Sequence, residues 1–263
     1  MKKSILRVLC AVCALVLLVS TLASCGYDVA KDAEYVTKKG KLVVGITDFE
    51  PMDYKDANGK WIGFDADLAR AFGEYLGVEV EFVEIDWDSK ETELKNKTID
   101  CVWNGMTLTD GVKAAMETSK PYMDNAQVIV TKKAKVPSSG TFTDEEIKAL
   151  KFAVENGSAG DEVITAKGVT PTRVTAQADA LLEVNAGTSD ACVIDLLMAL
   201  AMTGEGTSYP ELTFANKLNS EQYGVGFRKG SNLAAKLDEF LGANAAKLAE
   251  LGKTYNVAEA VIK

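Results

Sequence analysis

Asn104, Gly105, Met106, Thr107 and Thr109 fall within the six residues NGMTLT, after the apolar run IDCVW and before a short helical pattern. Amides, hydroxyls and a glycine at a strand-to-helix corner suit the capture of a small polar molecule. Backbone groups converge there, Thr109 can cap a helix starting near Asp110, and a helix N-terminus favours anions. GSAG (157–160) is a second corner of the same kind. Gly157 permits a tight turn, and the amides of Ser158, Ala159 and Gly160 open onto a helix start. Ordinary strand-to-helix loops share these residues, so neither corner assigns a function alone. Asp195 ends the apolar run ACVID. A carboxylate there is costly unless paired. Phe49 precedes Pro51 in a turn and can belong to the core, while Trp87, closing EIDW, is a candidate for a cleft wall or for the core.

The elements that must position these residues alternate. KLVVGIT (41–47) is a predicted strand, WIGFDADLARAFGEYLG (61–77) a helix with Leu68, Phe72, Tyr75 and Leu76 at helical spacing, and VEVEFVEI (78–85) a strand. SKETELKNK follows as a short helix or turn, then strands at IDCVWNG and AQVIVTKK. After the polar stretch 132–150 the pattern restarts with strand KFAVENG, a helix at SAGDEVITAKG, strand PTRVTA, a helix at QADALLEVNAG and strand SDACVIDL. YGVGFRKG is a further strand, and SNLAAKLDEFLGANAAKLAELGKTY is helical. This is an α/β chain of two similar α/β lobes with mainly parallel sheets. Ligands of such sheets bind beyond the carboxyl ends of the strands, here in a cleft between lobes.

The first 24 residues stand apart. Lys2, Lys3 and Arg7 precede an apolar run to Val19, and the segment ends at LASC (22–25). That is a secretory signal, too short for a stable membrane span. Cys10 and Cys13 form a CxxC inside it and leave with it. Removing residues 1–24, with three basic and no acidic residues, takes the net charge from −9 to −12. Nucleic-acid binding calls for the opposite balance. The chain has no histidine, which excludes histidine-based metal sites and Ser-His or Cys-His catalysis. No cofactor or metal is expected. GKT (252–254) lacks the upstream glycine of a phosphate loop, and GVG (224–226) lacks dinucleotide-binding spacing. Cys101 and Cys192 occupy corresponding strands of separate lobes and are expected as buried free thiols.

LVVGITDFEPMDY, GFDADLA, IDCVWNGMTLTD, SKPY, FAVENGS, DACVID and YGVGFRKG occur in an order and spacing that resemble the extracytoplasmic solute-binding proteins of amino-acid ABC transporters (family 3, periplasmic-binding-protein-like fold, type II) over about residues 41–230. LASC likewise resembles a bacterial lipobox, with Cys25 the lipidated residue anchoring the chain to the membrane. The resemblance implies a signal peptide over 1–24, a tether over 25–40, lobe one from 41–123 with 224–263, and lobe two from 124–223. A two-stranded hinge would lie near 123–127 and 219–224.

It further implies an amino acid or related amine as ligand, an ABC permease as partner, and a monomer outside the cytoplasm. Phe49 would stack on the ligand side chain, and Asp195 would take its ammonium. Trp87, Asn104, Gly105, Met106, Thr107, Thr109, Ser158 and Ala159 would complete the site. One departure stands out. Where the family pattern T-x-x-R places an arginine for the ligand carboxylate, this chain has Val112, and Lys113 lies about 100° further round a helix. Backbone amides and hydroxyls, or a ligand without an α-carboxylate, are the alternatives. A cyclohexadienyl-dehydratase-like enzyme with Glu50 or Asp195 as acid, or a sensor for a membrane partner, would use the same fold.

Overall fold

A computed structural model describes residues 27–262. The segment 1–24, read as a secretory signal, and Cys25 lie outside the described residues. Within them, no helix is long and apolar enough to cross a membrane.

The first lobe is built on β1 (Lys41–Ile46), with the small hairpin β2 (Tyr54–Lys55) and β3 (Trp61–Ile62) beside it. β4 (Glu79–Glu84) and β5 (Cys101–Thr107) flank β1 and run parallel to it. Two short strands follow, β6 (Glu117–Thr118) and β7 (Met123–Asn125). The second lobe takes β8 (Gln127–Lys132), β9 (Phe152–Glu155), β10 (Thr172–Val174), β11 (Ala191–Asp195) and β12 (Leu212–Lys217). β13 (Glu221–Phe227) returns to the first.

The sheets have the orders β4-β1-β5-β13-β6, with β7 on β13, and β10-β9-β11-β8-β12. Each therefore has a parallel core of three strands. β13 and β8, which enter from the other lobe, run antiparallel to β5 and β11 respectively. An entering strand has no crossover helix to reverse its direction, so it pairs antiparallel.

The Phe64–Leu76 helix shows how the sheet is covered. Phe64, Leu68 and Phe72 recur every four residues and are fully buried, and Gly77 closes the helix in the left-handed conformation. Tyr75, read from spacing as part of that face, is 48% exposed and lies over Phe72 and Phe240.

The stretch read as a tether differs from expectation. Asp32–Lys39 is a helix whose Ala33 and Val36 are buried. Arg228 binds both Asp32 oxygens, at 2.9 and 3.0 Å, and reaches Asp100 at 3.0 Å. A polar composition concealed two core contacts and a buried ion network. The polar stretch after β8 likewise contains the Asp144–Ala149 helix, started by a capping box between Thr143 and Glu146. Cys101 and Cys192 are free and buried.

Candidate functional site

The carboxyl ends of β5, β9 and β11 point at one another across the lobes and enclose a cavity of about 140 Å³. It opens into an outer chamber of about 610 Å³, with Thr107, Thr109, Ala159 and Glu162 in both walls. The inner cavity has the volume of a compact small molecule. The outer chamber gives an elongated one room to extend.

Lobe one supplies the β5 corner. Gly105 has φ +53° and donates its N–H to Asp65 at 2.6 Å. Its missing side chain matters: a Cβ there would stand 2.5 Å from the Phe49 ring. Asn104 accepts from Thr47 N and Oγ1 at 2.9 and 2.8 Å, and donates to Thr47 O and Asp53 at 3.0 and 2.8 Å. Its amide is thus committed to bracing β5 against the loop after β1. Thr109 caps the Asp110–Ala115 helix through Val112 N at 3.2 Å.

Lobe two supplies two acids. Asp195, at the end of β11, is buried and accepts from Tyr223 at 2.6 Å and from Asn125 and Gln177. Gln177 also accepts from the Asp195 N–H at 2.9 Å, fixing the aspartate from both sides. Burial, with Glu221 nearby, raises its pKa to about 7. Glu155 ends β9 and is 2% exposed. Its Oε1 is buried with no hydrogen-bond partner among the described residues. Burial first, and the Asp195 carboxylate second, raise its pKa to about 8. Ser158 caps the Ala159–Ala166 helix through Asp161 N at 3.1 Å.

Lys90 crosses the cleft. It is 8% exposed, and its Nζ donates to Trp87 O in its own lobe and Gly157 O in the other, each at 3.1 Å. The ammonium lies 4.9 Å from the centre of the Trp87 ring. The lobes are in close contact here, since a Cβ on Gly157 would meet Asp88 Oδ1 at 2.7 Å.

The sequence pattern of the bacterial extracellular solute-binding proteins, family 3, matches residues 42–257. The chain belongs to this family. Among its relatives, a probable histidine-binding protein of Neisseria gonorrhoeae is 29% identical, over 82% of each chain. An L-arginine-binding protein of Pseudomonas aeruginosa is 30% identical, over 74% of this chain and 78% of its own. The crystal structure of an ABC uptake transporter substrate-binding protein from Streptococcus pneumoniae with bound histidine is 28% identical and superposes with a TM-score of 0.79. That match covers 89% of this chain and 99% of the other. The family is one of extracellular binding proteins. A structure that bears on the dehydratase alternative, an ancestral amino-acid-binding protein described as a precursor of cyclohexadienyl dehydratase (29% identical, TM-score 0.75), is itself a binding protein.

In this solute-binding protein the cavity wall gathers Trp87, Asn104, Gly105, Met106, Thr107, Thr109, Ser158, Ala159 and Asp195 from the residues singled out in sequence. Phe49 is not in that wall. It is 1% exposed, wedged against Gly105 and edge-on to Tyr223 with ring centres 6.3 Å apart. The Thr107 hydroxyl is engaged by Glu221 at 2.9 Å. Val112 lines the cavity, whereas Lys113 faces the outer chamber. Sequence reading overlooked Glu155, Lys90 and Gln177. Glu155 carried the signal that drew attention to Asp195, an acid closing a buried strand. Lys90 carried none, because a lysine opening a short helix is ordinary.

Proposed function

We propose that this protein captures an amino acid with a positively charged side chain and delivers it to an ABC permease. The observation that carries this reading is the pair of buried acids, Glu155 and Asp195, at strand ends facing a cavity whose rim adds Glu91 and Glu162. A cation entering such a cavity lowers the cost of ionising both carboxyls. Asp195 already accepts three side-chain hydrogen bonds, while Glu155 keeps an open oxygen. Glu155 is therefore the prime partner of a ligand ammonium or guanidinium, with Asp195 reinforcing it. Trp87 supplies the flat wall, and the β5 corner and the Ala159–Ala166 helix start contribute backbone N–H groups. Relatives named for arginine and histidine binding favour this class, beside others named for cystine binding. The lobes would close on the ligand by hinge motion, and a lipid on Cys25 would hold the receptor at the membrane.

A thermal-shift panel tests the ligand class. Binding to the folded state alone adds about 2.7 kcal/mol at a hundred times Kd. L-arginine, L-lysine, L-ornithine and L-histidine should raise the Tm, and L-glutamate should not. A largest shift from L-glutamate would overturn the cationic reading. Mass spectrometry of protein made with its signal segment, beside Cys25→Ala, tests the anchor: a diacylglyceryl mass increment should be present only with the cysteine.

A further inference from the structure

Among the described residues, Lys90 is the one basic residue in the wall of the inner cavity. It is buried, and its ammonium makes no ion pair within 4 Å among the described residues. Two of its three protons go to the Trp87 and Gly157 carbonyls, and the third has no partner among the described residues. Burial lowers its pKa, and Glu155, Glu91, Asp88 and Glu162 oppose that shift from beyond ion-pair distance. The charge is thus only partly compensated, and the ordinary outcome is pairing or loss of charge. Val112 sits in the same wall, at the place where an arginine would grip a carboxylate, and offers no charge. The cavity is therefore polarised. Its cation comes from lobe one, beside Glu91, and its two strand-end acids, with Glu162, come from lobe two.

We propose that Lys90 binds the ligand's α-carboxylate, so that a zwitterion lies with its carboxylate toward the Trp87 wall and its cationic groups toward Glu155 and Asp195. An ammonium is a point donor without the planar fork of a guanidinium, so it can meet the carboxylate while keeping its two carbonyl contacts. Because one of those carbonyls belongs to Gly157, the same nitrogen ties ligand recognition to contact between the lobes. The inference rests on the cationic amino-acid reading and adds which residue recognises the acid end.

The test compares each amino acid with its decarboxylated amine. L-Arginine with agmatine, and L-histidine with histamine, are titrated calorimetrically into the wild type, Lys90→Gln and Lys90→Met. Gln keeps a donor for the two carbonyls, and Met keeps only the stem. The wild type should prefer the amino acid by at least about tenfold, as expected for a charge-assisted hydrogen bond. In both variants that preference should fall below about threefold, chiefly through weaker amino-acid binding. Equal losses for acid and amine would make Lys90 a latch between lobes and overturn the proposal. So would an unchanged preference in either folded variant. If the wild type binds none of the four compounds, the cationic amino-acid reading itself fails, and this inference with it.

Discussion

Glu155 places an ionisable group where the protein's own favourable neighbours, Lys90 among them, offset only part of its burial. Held near pKa 8, its carboxyl is largely protonated at pH 6 and increasingly ionised toward pH 9. Affinity for L-arginine should therefore rise with pH across that window, and Glu155→Gln should lower it at least about tenfold while flattening the profile. Calorimetry at pH 6 and pH 8.5 measures both effects. Stability should move the opposite way. Between its ordinary value of 4.5 and about 8, the folded carboxyl keeps a proton that the unfolded chain has released. Stability conferred by this group is thus lost as pH rises through that range. Ligand-free Glu155→Gln should match the wild type at pH 5 and melt higher at pH 8.5, by about 2–4 °C per kcal/mol recovered. Gly105 makes a purely steric counterpart. Gly105→Ala forces a Cβ toward the Phe49 ring from a backbone with φ +53°, and should cost about 1–3 kcal/mol in urea unfolding.

The Asp32–Lys39 helix shows an element whose small apolar face, Ala33 and Val36, is reinforced by a buried ion network. Arg228 is buried between Asp32 and Asp100 and also donates to Ile99 O at 2.7 Å. Arg228→Met would leave two buried carboxylates with one cation, Lys39, on the Asp100 side. It should cost about 3–5 kcal/mol by denaturant unfolding, with amide exchange rising first in residues 32–39. No periodicity in the sequence announced this helix, because its anchor lies almost two hundred positions away. The strands were legible for the converse reason: IDCVW and ACVID are apolar runs whose pairing needs only their neighbours. At the site, the corners at 104–109 and 157–160 could be read locally, since caps and turns are made by adjacent residues. Phe49 could not, because whether an aromatic beside a cleft faces ligand or core depends on Gly105, some fifty residues on. Lys90 was illegible too, since its meaning comes from Gly157 in the other lobe.

At the scale of the whole molecule, Trp87 reports on the cleft. Trp103 is wholly buried and Trp61 lies in the β3 hairpin, so neither lines the inner cavity. Ligand binding should alter tryptophan emission, and Trp87→Phe should abolish most of the change while leaving the fold intact. Motion between the lobes is confined by how little chain joins them. β7 ends at Asn125 in one sheet and β8 begins at Gln127 in the other. On one side of that join the Asp124 N–H is held by Ala260 O at 2.8 Å, and on the other the Ala126 carbonyl is held by the Leu196 N–H at 2.8 Å. The return crossing, between Lys217 and Glu221, is only slightly longer. Two such short straps side by side make a door hinge rather than a ball joint. If the lobes close as proposed, such straps favour one swing about a single axis and resist twist, so the two faces would meet in the same alignment on shutting. Little orientational entropy would then remain to be lost at closure, and the proposed permease partner would meet one repeatable outline instead of a spread of poses.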